Sequence, residues 1–498
     1  MRRRKGFIIV LSLLLLVCFV VNTYGLSFTL TAKAARTAIL KSTKEVLRVG
    51  ATTKLTINNK ISKATYTFKS SDSKVVSVDK AGTVTGRKAG MAIVTVKQSN
   101  KSKTTVVGTV EVTVRPELVR KNVYEKSLVS IGNNYRMKKA IEKAQRGEDV
   151  VIAYIGGSIT EGYNALRPTQ SYGYLSYEYF KKTFGKGDGS NVKFVNAGMA
   201  GTPSSLGMVR YERDVVTVGG AEPDILFVEF AVNDADDTTN GDAYESLVVN
   251  ALKSEKQPAV VLLFSVFKSK WNLQSRLQPV GEYYDLPMIS IKDAVLPELA
   301  SGALTDAEFF SDQFHPTTDG HQLMADCIDY YFDAVAAENI VGSDITIPEE
   351  GKIGNSYVGI KMIDSKLSDN NVAINAGSFS SNDTMLGTFK YAPTVKTFPN
   401  NWKHSADAGN ESYILKLDCK NLVIVYKLSS SSAAGKVDVF VDGVKKETYN
   451  SFSGGAWNNP MTKVVFKSEE SVSHTIEIKM ASDSQKKEFS ILAFGYTK

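Results

Sequence analysis

A chain of 498 residues exceeds one ordinary hydrophobic core, so two to four domains are expected. With 43% hydrophobic and 22% charged residues it is globular rather than disordered. Its formal charge of +8 suggests a nucleic-acid partner until the distribution is read. Arg2, Arg3, Arg4 and Lys5 precede an apolar run from Phe7 to Val21, and Ala32 and Ala34 frame an A-x-A exit. Residues 1–34 therefore read as a signal peptide, with a retained anchor as the rival reading. The apolar run is short for a span, so no membrane span is expected after cleavage. Cleavage removes five of the 60 basic side chains and none of the 52 acidic ones, leaving +3 and no case for nucleic acid. The expected location is secreted or cell-surface associated, in a bacterium. Cys18 leaves with the leader, and Cys327 and Cys419 are too few for a disulfide framework. Each reads as a small buried hydrophobe.

Residues 38–115 are rich in Thr, Val, Ser and Lys, with short alternating runs and turns such as Lys80-Ala81-Gly82. That is the pattern of a small all-β sandwich. Gly50 with Lys54-Leu55, Phe68–Asp72, Val76–Asp79, Gly82–Gly86 and Gly90 with Ala92–Val94 resemble the bacterial Ig-like group 2 domain. The resemblance implies a surface spacer or adhesion module, with cell-surface glycans among its expected partners, and no catalytic role.

From 120 to 341 strands and helices alternate. Strand candidates are Val150–Ile155, Val192–Val195, Ile225–Phe230, Val260–Val266 and Met288–Ile291. Helical patterns cover Tyr172–Phe184, Ala243–Lys253 and Gly320–Val335, the last with Leu323, Cys327 and Tyr331 on one face. Fully apolar strands between helices imply an α/β fold whose parallel sheet is covered on both sides. After a linker, Gly342–Lys352, period-two alternation returns in Val437–Asp442 and Ile476–Met480. Residues 353–498 are expected to form a jelly-roll-type β-sandwich, an accessory domain that touches carbohydrate.

Ser158 follows an apolar strand and two glycines, where ligands gather in parallel sheets. It reads equally as a nucleophile and as a helix N-cap after a glycine turn. Asp312-Gln313-Phe314-His315-Pro316 precedes the last helix. In a turn, Asp312 can reach His315 Nδ1 and leave Nε2 facing a serine; the same stretch also reads as a capping turn. His321 reads as structural, and no His, Cys or carboxylate group has metal-ligand spacing, so neither metal nor cofactor is expected.

In this order, residues 149–340 resemble the SGNH hydrolases of the GDSL esterase/lipase superfamily. The matching blocks are Gly157–Thr160, Asn196–Gly201, Ala231–Asp234, and Asp312 with His315. The resemblance implies a flavodoxin-like three-layer domain in which Ser158, Asp312 and His315 are catalytic. It further implies an oxyanion hole from the N–H groups of Ser158 and Gly201, with Gly198 as the alternative, and the Asn233 amide. Two positions depart from the family pattern: Gly157 replaces a frequent Asp, and Ala231 replaces a glycine.

Flanking β-sandwiches make the chain similar to carbohydrate esterases, which implies removal of short acyl groups, chiefly acetyl, from polysaccharide or oligosaccharide. Loop aromatics in Thr397–His404 and Ser451–Trp457 suggest Trp402 or Trp457 as sugar contacts. A lipase or thioesterase on the same triad is a rival, although Glu161-Gly162-Tyr163-Asn164 is too polar for an acyl groove. A non-catalytic surface adhesin is the other.

Overall fold

The computed structural model describes residues 37–101, 103–235, 237–388 and 397–498. The leader read in residues 1–34 lies outside them. Two compact units are present, one ending at Glu117 and one running from Leu118 to Lys498.

In the first unit a four-stranded and a three-stranded sheet enclose one core. Alternation builds it: Val94 and Val96 on one long strand, and Val110, Val112 and Val114 on its antiparallel partner, all turn inward. This is the Ig-like region expected from the sequence.

The second unit contains a six-stranded sheet: β1 (Leu128–Ser130), β2 (Val150–Gly156), β3 (Val192–Gly198), β4 (Ile225–Glu229), β5 (Ala259–Phe264) and β6 (Met288–Ser290). Their order is β1-β6-β5-β4-β2-β3, with only β1 antiparallel. Within the parallel part this is the doubly wound order 2-1-3-4-5, whose direction of winding switches between β2 and β4. Every residue of β2, β4 and β5 is buried because each face carries its own core. Val151, Ala153 and Ile155 enter one core, and Val150, Ile152 and Tyr154 the other. The final helix, Thr318–Ala337, lays Leu323, Cys327 and Tyr331 on the second face. Among the described residues no helix is long and apolar enough to cross a membrane.

The C-terminal segment is an eight-stranded antiparallel network organised by two long strands, Tyr413–Ser429 and Trp457–Met480. Register shifts at Cys419/Asn421, Leu422/Val423 and Lys427/Ser429 let the first of these change partners along its length. Its stretch Leu422–Tyr426 is apolar at every position. Leu422, Ile424 and Tyr426 face the segment's own core, whereas Val423 and Val425 enter the core of the α/β sheet. Leu492 and Ala493 join them there, with Phe230, Leu206 and Tyr244 opposite. The α/β and C-terminal segments thus share a core and form a single unit.

The linker between them is clamped by the helix Asp242–Leu252. Buried Glu245 accepts the backbone N–H groups of Lys352, Ile353 and Gly354. Asp242 accepts the N–H and hydroxyl of Ser356 (2.9 and 2.8 Å) and pairs with Lys467 at 2.7 Å.

Candidate active site

At the switch point, three strand ends meet, and side chains are excluded where they touch. A Cβ on Gly156 would lie 2.4 Å from the Glu229 carbonyl, and one on Gly198 2.0 Å from the Glu161 nitrogen. A Cβ on Gly157 would lie 2.0 Å from Asn233 Oδ1. In this chain, glycine is therefore required at 157. Ser158 then opens a one-turn helix, Ser158–Glu161, that ends on left-handed Gly162.

His315 Nε2 lies 3.0 Å from Ser158 Oγ. The Nδ1–H donates to the Asp312 carboxylate, 3.0 and 2.9 Å from its two oxygens, which fixes the tautomer so that Nε2 accepts the serine hydroxyl. Asp312 Oδ1 also accepts the N–H groups of Phe314 (2.7 Å) and His315 (2.8 Å), and Oδ2 accepts the Asn164 amide at 2.8 Å. Burial acts to raise the Asp312 pKa. The hydrogen bonds from the His315 ring and from the two backbone N–H groups outweigh it and hold the carboxyl below its ordinary value. The turn itself is closed by Ser311 N–H to the His315 carbonyl and by Thr317, which caps the following helix.

Two backbone N–H groups of the matching motif blocks have no acceptor among the described residues. The Ser158 N–H is one. Gly201, in the loop after β3 with φ +67°, offers a second. The Gly198 N–H is already taken by Asn196 Oδ1 at 2.9 Å, so of the two glycines Gly201 is the available donor. Asn233, in the turn after β4, has its Oδ1 buried without a partner and its Nδ2 unpaired. Such a set can deprotonate a hydroxyl on one side of a carbonyl and hold negative charge on the other.

Residues 154–323 match the GDSL-like lipase/acylhydrolase family model, and residues 34–114 match the bacterial Ig-like domain (group 2). The chain carries a GDSL-like hydrolase domain. Its fold is similar to a two-domain esterase (CEX) active on acetylated mannans, with 27% identity and a TM-score of 0.65 over 75% of this chain and 99% of that one. The same esterase co-crystallised with mannopentaose gives 27% identity and a TM-score of 0.64, covering 75% of this chain and 98% of that one. No curated protein sequence matches the chain. The GDSL-like domain and the likeness to this esterase make the protein a carboxylic ester hydrolase.

Several supports of the GDSL-like site carry no motif. Asn164, with φ +66°, ties the nucleophile loop to Asp312 and Ser311. The Tyr163 ring packs 4.5 Å from the His315 ring. His321 is structural: its Nε2–H donates to the Tyr163 carbonyl at 3.1 Å. Burial pushes its pKa down to about 4, so it is neutral. Arg210 is completely buried and donates to the carbonyls of Ala197 (2.7 Å) and Gly156 (3.1 Å), bracing the two strand ends beneath the serine. Asp234 Oδ1 accepts the Ser204 N–H at 2.7 Å and so couples the Asn233 turn to the segment after Gly201. Burial, reinforced by the Asp237 charge, pushes Asp234 up to about 8, and burial pushes Glu229 up to about 7.

The two tryptophans expected near a sugar separate. Trp402 is 6% exposed, on a strand paired with Phe489–Ile491, and packs against Tyr413 and Phe494 in the C-terminal core. Its expected sugar contact is therefore corrected: pleat alternation turns Trp402 and His404 inward and Lys403 outward. Trp457 is 41% exposed, and its Cζ2 is 3.9 Å from where a Gly201 Cβ would stand. Cys327 and Cys419 are buried free thiols, and no described cluster of three His, Cys, Asp or Glu could hold a metal. A cavity of about 300 Å³ lined by Arg136, Lys143 and Asp224 lies at the amino ends of the strands, opposite the serine.

Proposed function

We propose that the protein is a secreted or cell-surface serine esterase that removes short acyl groups, chiefly acetyl, from polysaccharide through an acyl-enzyme. The observation that carries this reading is the Asp312–His315–Ser158 hydrogen-bond chain, with donors of Ser158, Gly201 and Asn233 left unpaired in the neighbouring motif blocks. His315 takes the Ser158 proton as Oγ attacks the ester carbonyl. The oxyanion is held by the Ser158 and Gly201 N–H groups and by Asn233 Nδ2. His315 then protonates the departing sugar oxygen, and water repeats the sequence on the acyl-enzyme. Asp312 keeps His315 in its tautomer and balances its transient charge.

Two features favour a short acyl group on a glycan over a lipid. Trp457 lies beside Gly201, and we assign it to the acyl side rather than to the expected sugar contact, where it would leave little room for a long chain. The likeness to an esterase active on acetylated mannans extends over both the α/β and C-terminal segments. Secretion rests on the basic end, apolar run and A-x-A exit of residues 1–34.

The test is release of acetate from acetylated mannan and xylan, set beside a long-chain ester, for wild type and Ser158→Ala. Release from glycan, weak long-chain activity and loss of both in the variant are expected. Preference for the long-chain ester would make the protein a lipase, and equal behaviour of the two proteins would overturn the triad.

A further inference from the structure

We propose that Trp271, with Phe267 and Phe314, forms a sugar-stacking subsite on the leaving-group side of Ser158, so that the enzyme prefers oligomeric over monomeric acetylated glycan. This rests on the polysaccharide-esterase reading above. The rings form a row that begins at the triad. Phe314 lies 6.2 Å from the His315 ring, Phe267 5.1 Å from Phe314, and Trp271 stacks on Phe267 at 5.9 Å with planes 29° apart. Phe314 is 54% exposed and Trp271 38%, so the row faces solvent. Exposed apolar rings on an otherwise polar surface mark a contact site.

The chemistry selects which half of the ester lies there. The proton that His315 takes from Ser158 must return to the departing oxygen, so the alcohol half of the substrate sits within reach of His315 Nε2. The carbonyl oxygen points instead to Gly201 and Asn233. A row of rings that starts beside His315 therefore flanks the sugar, while Trp457 flanks the acyl group. The exposed Trp271 ring suits the C–H face of a pyranose, and exposed Phe314, meeting Phe267 edge-to-face at 73°, lines the path between that ring and His315. Exposed Ser269, Lys270 and Gln313, in the same two loops, give the row a polar rim, which an acyl groove would lack.

The platform is built before substrate arrives. Phe267 N–H donates to the Trp271 carbonyl (3.1 Å), and Lys270, with φ +68°, donates to the Phe267 carbonyl at 2.8 Å. Lys268 N–H reaches the Gln313 carbonyl at 3.1 Å, joining this loop to the one carrying His315. Asn272 Nδ2 closes the loop on the Ser265 carbonyl at 2.8 Å, and Leu273 N–H anchors it to Ala231 beside Asn233. Little ordering is left to be lost on binding.

The experiment compares wild type, Trp271→Ala and Trp271→Tyr on acetylated manno-oligosaccharides of two to six sugars and on 4-nitrophenyl acetate. For wild type, kcat/KM should rise with chain length. Trp271→Ala should flatten that rise by tenfold or more, through KM, and Trp271→Tyr should keep most of it. An unaltered length dependence, or an equal loss on every substrate including the nitrophenyl ester, would overturn the subsite. Should wild type cleave only the nitrophenyl ester, the polysaccharide reading fails, and the subsite is then judged by calorimetric binding of mannohexaose and xylohexaose to Ser158→Ala. Binding that disappears in Ser158→Ala/Trp271→Ala supports the platform; binding that persists, or none to begin with, overturns it.

Discussion

Replacing Asn233 with alanine removes a donor that has no other work in the folded protein. Its Nδ2 is unpaired and its Oδ1 is buried without a partner against Gly157. A buried unpaired oxygen costs about 1–3 kcal/mol, so its removal offsets most of the packing lost with the side chain. The net change in stability should then stay within about 1 kcal/mol. Catalysis has no such offset. One preorganised oxyanion donor is worth about 10²–10³ in kcat, or about 2.7–4 kcal/mol of transition-state stabilisation. Steady-state kinetics on an acetyl ester should show kcat falling by that factor with KM nearly constant, because the donor meets charge that exists only in the transition state. Thermal unfolding of the same preparation should be almost unchanged. A fall in kcat of less than about fivefold in a fully folded variant would refute the assignment of Asn233 to the oxyanion hole.

Two further changes probe the surroundings. Asp234→Asn keeps an oxygen for the Ser204 N–H and mimics the protonated acid. Because the folded pKa of Asp234 is raised from 3.8 to about 8, its proton contributes stability at low pH that is lost as pH rises through that window. The Tm advantage of the Asn variant over wild type should therefore grow between about pH 4 and 8 and then level off; parallel curves would contradict a raised pKa. Trp457→Ala should widen the acyl side beside Gly201. The butyryl-to-acetyl ratio of kcat/KM should rise roughly tenfold, the worth of one or two accommodated methylenes, and an unchanged ratio would remove Trp457 from the acyl-side wall.

Much of the α/β sheet was legible because strands buried on both faces are apolar throughout, and Val150–Gly156 is the clearest case. The same rule applies to Leu422–Tyr426, whose unbroken apolar run is the signature of a strand serving two cores, yet the neighbouring period-two strands suggested a separate sandwich. Ser158, Asp312 and His315, which the structure joins by hydrogen bonds, lie in the ordered motif blocks that singled them out. The preference for Gly201 over Gly198 came from the motif resemblance alone; its physical ground, Asn196 capturing the Gly198 N–H, is not visible in the sequence. Trp402 and Trp457 are the same residue type in similar surroundings, and only strand pairing separates core from cleft. Arg210 carries a signal of its own: a guanidinium in the wholly buried helix Ser204–Tyr211 needs acceptors, and here they are strand-end carbonyls. Asn164 left a fainter one, being a residue type that tolerates the left-handed conformation two positions after Gly162. Trp271 had none, because the row that links it through Phe267 to His315 passes through Phe314 on a separate loop.

In the proposed mechanism Ser158 carries the acyl group between two half-reactions. Rapid-quench mass spectrometry of the enzyme mixed with an acetyl ester tests it most directly. A transient gain of one acetyl group on the peptide containing Ser158 is expected, absent in Ser158→Ala, which should also release acetate at least about 10⁴-fold more slowly, on the order of other serine hydrolases. Acetate release by Ser158→Ala at the wild-type rate, or an acyl group found on any other residue, would contradict it.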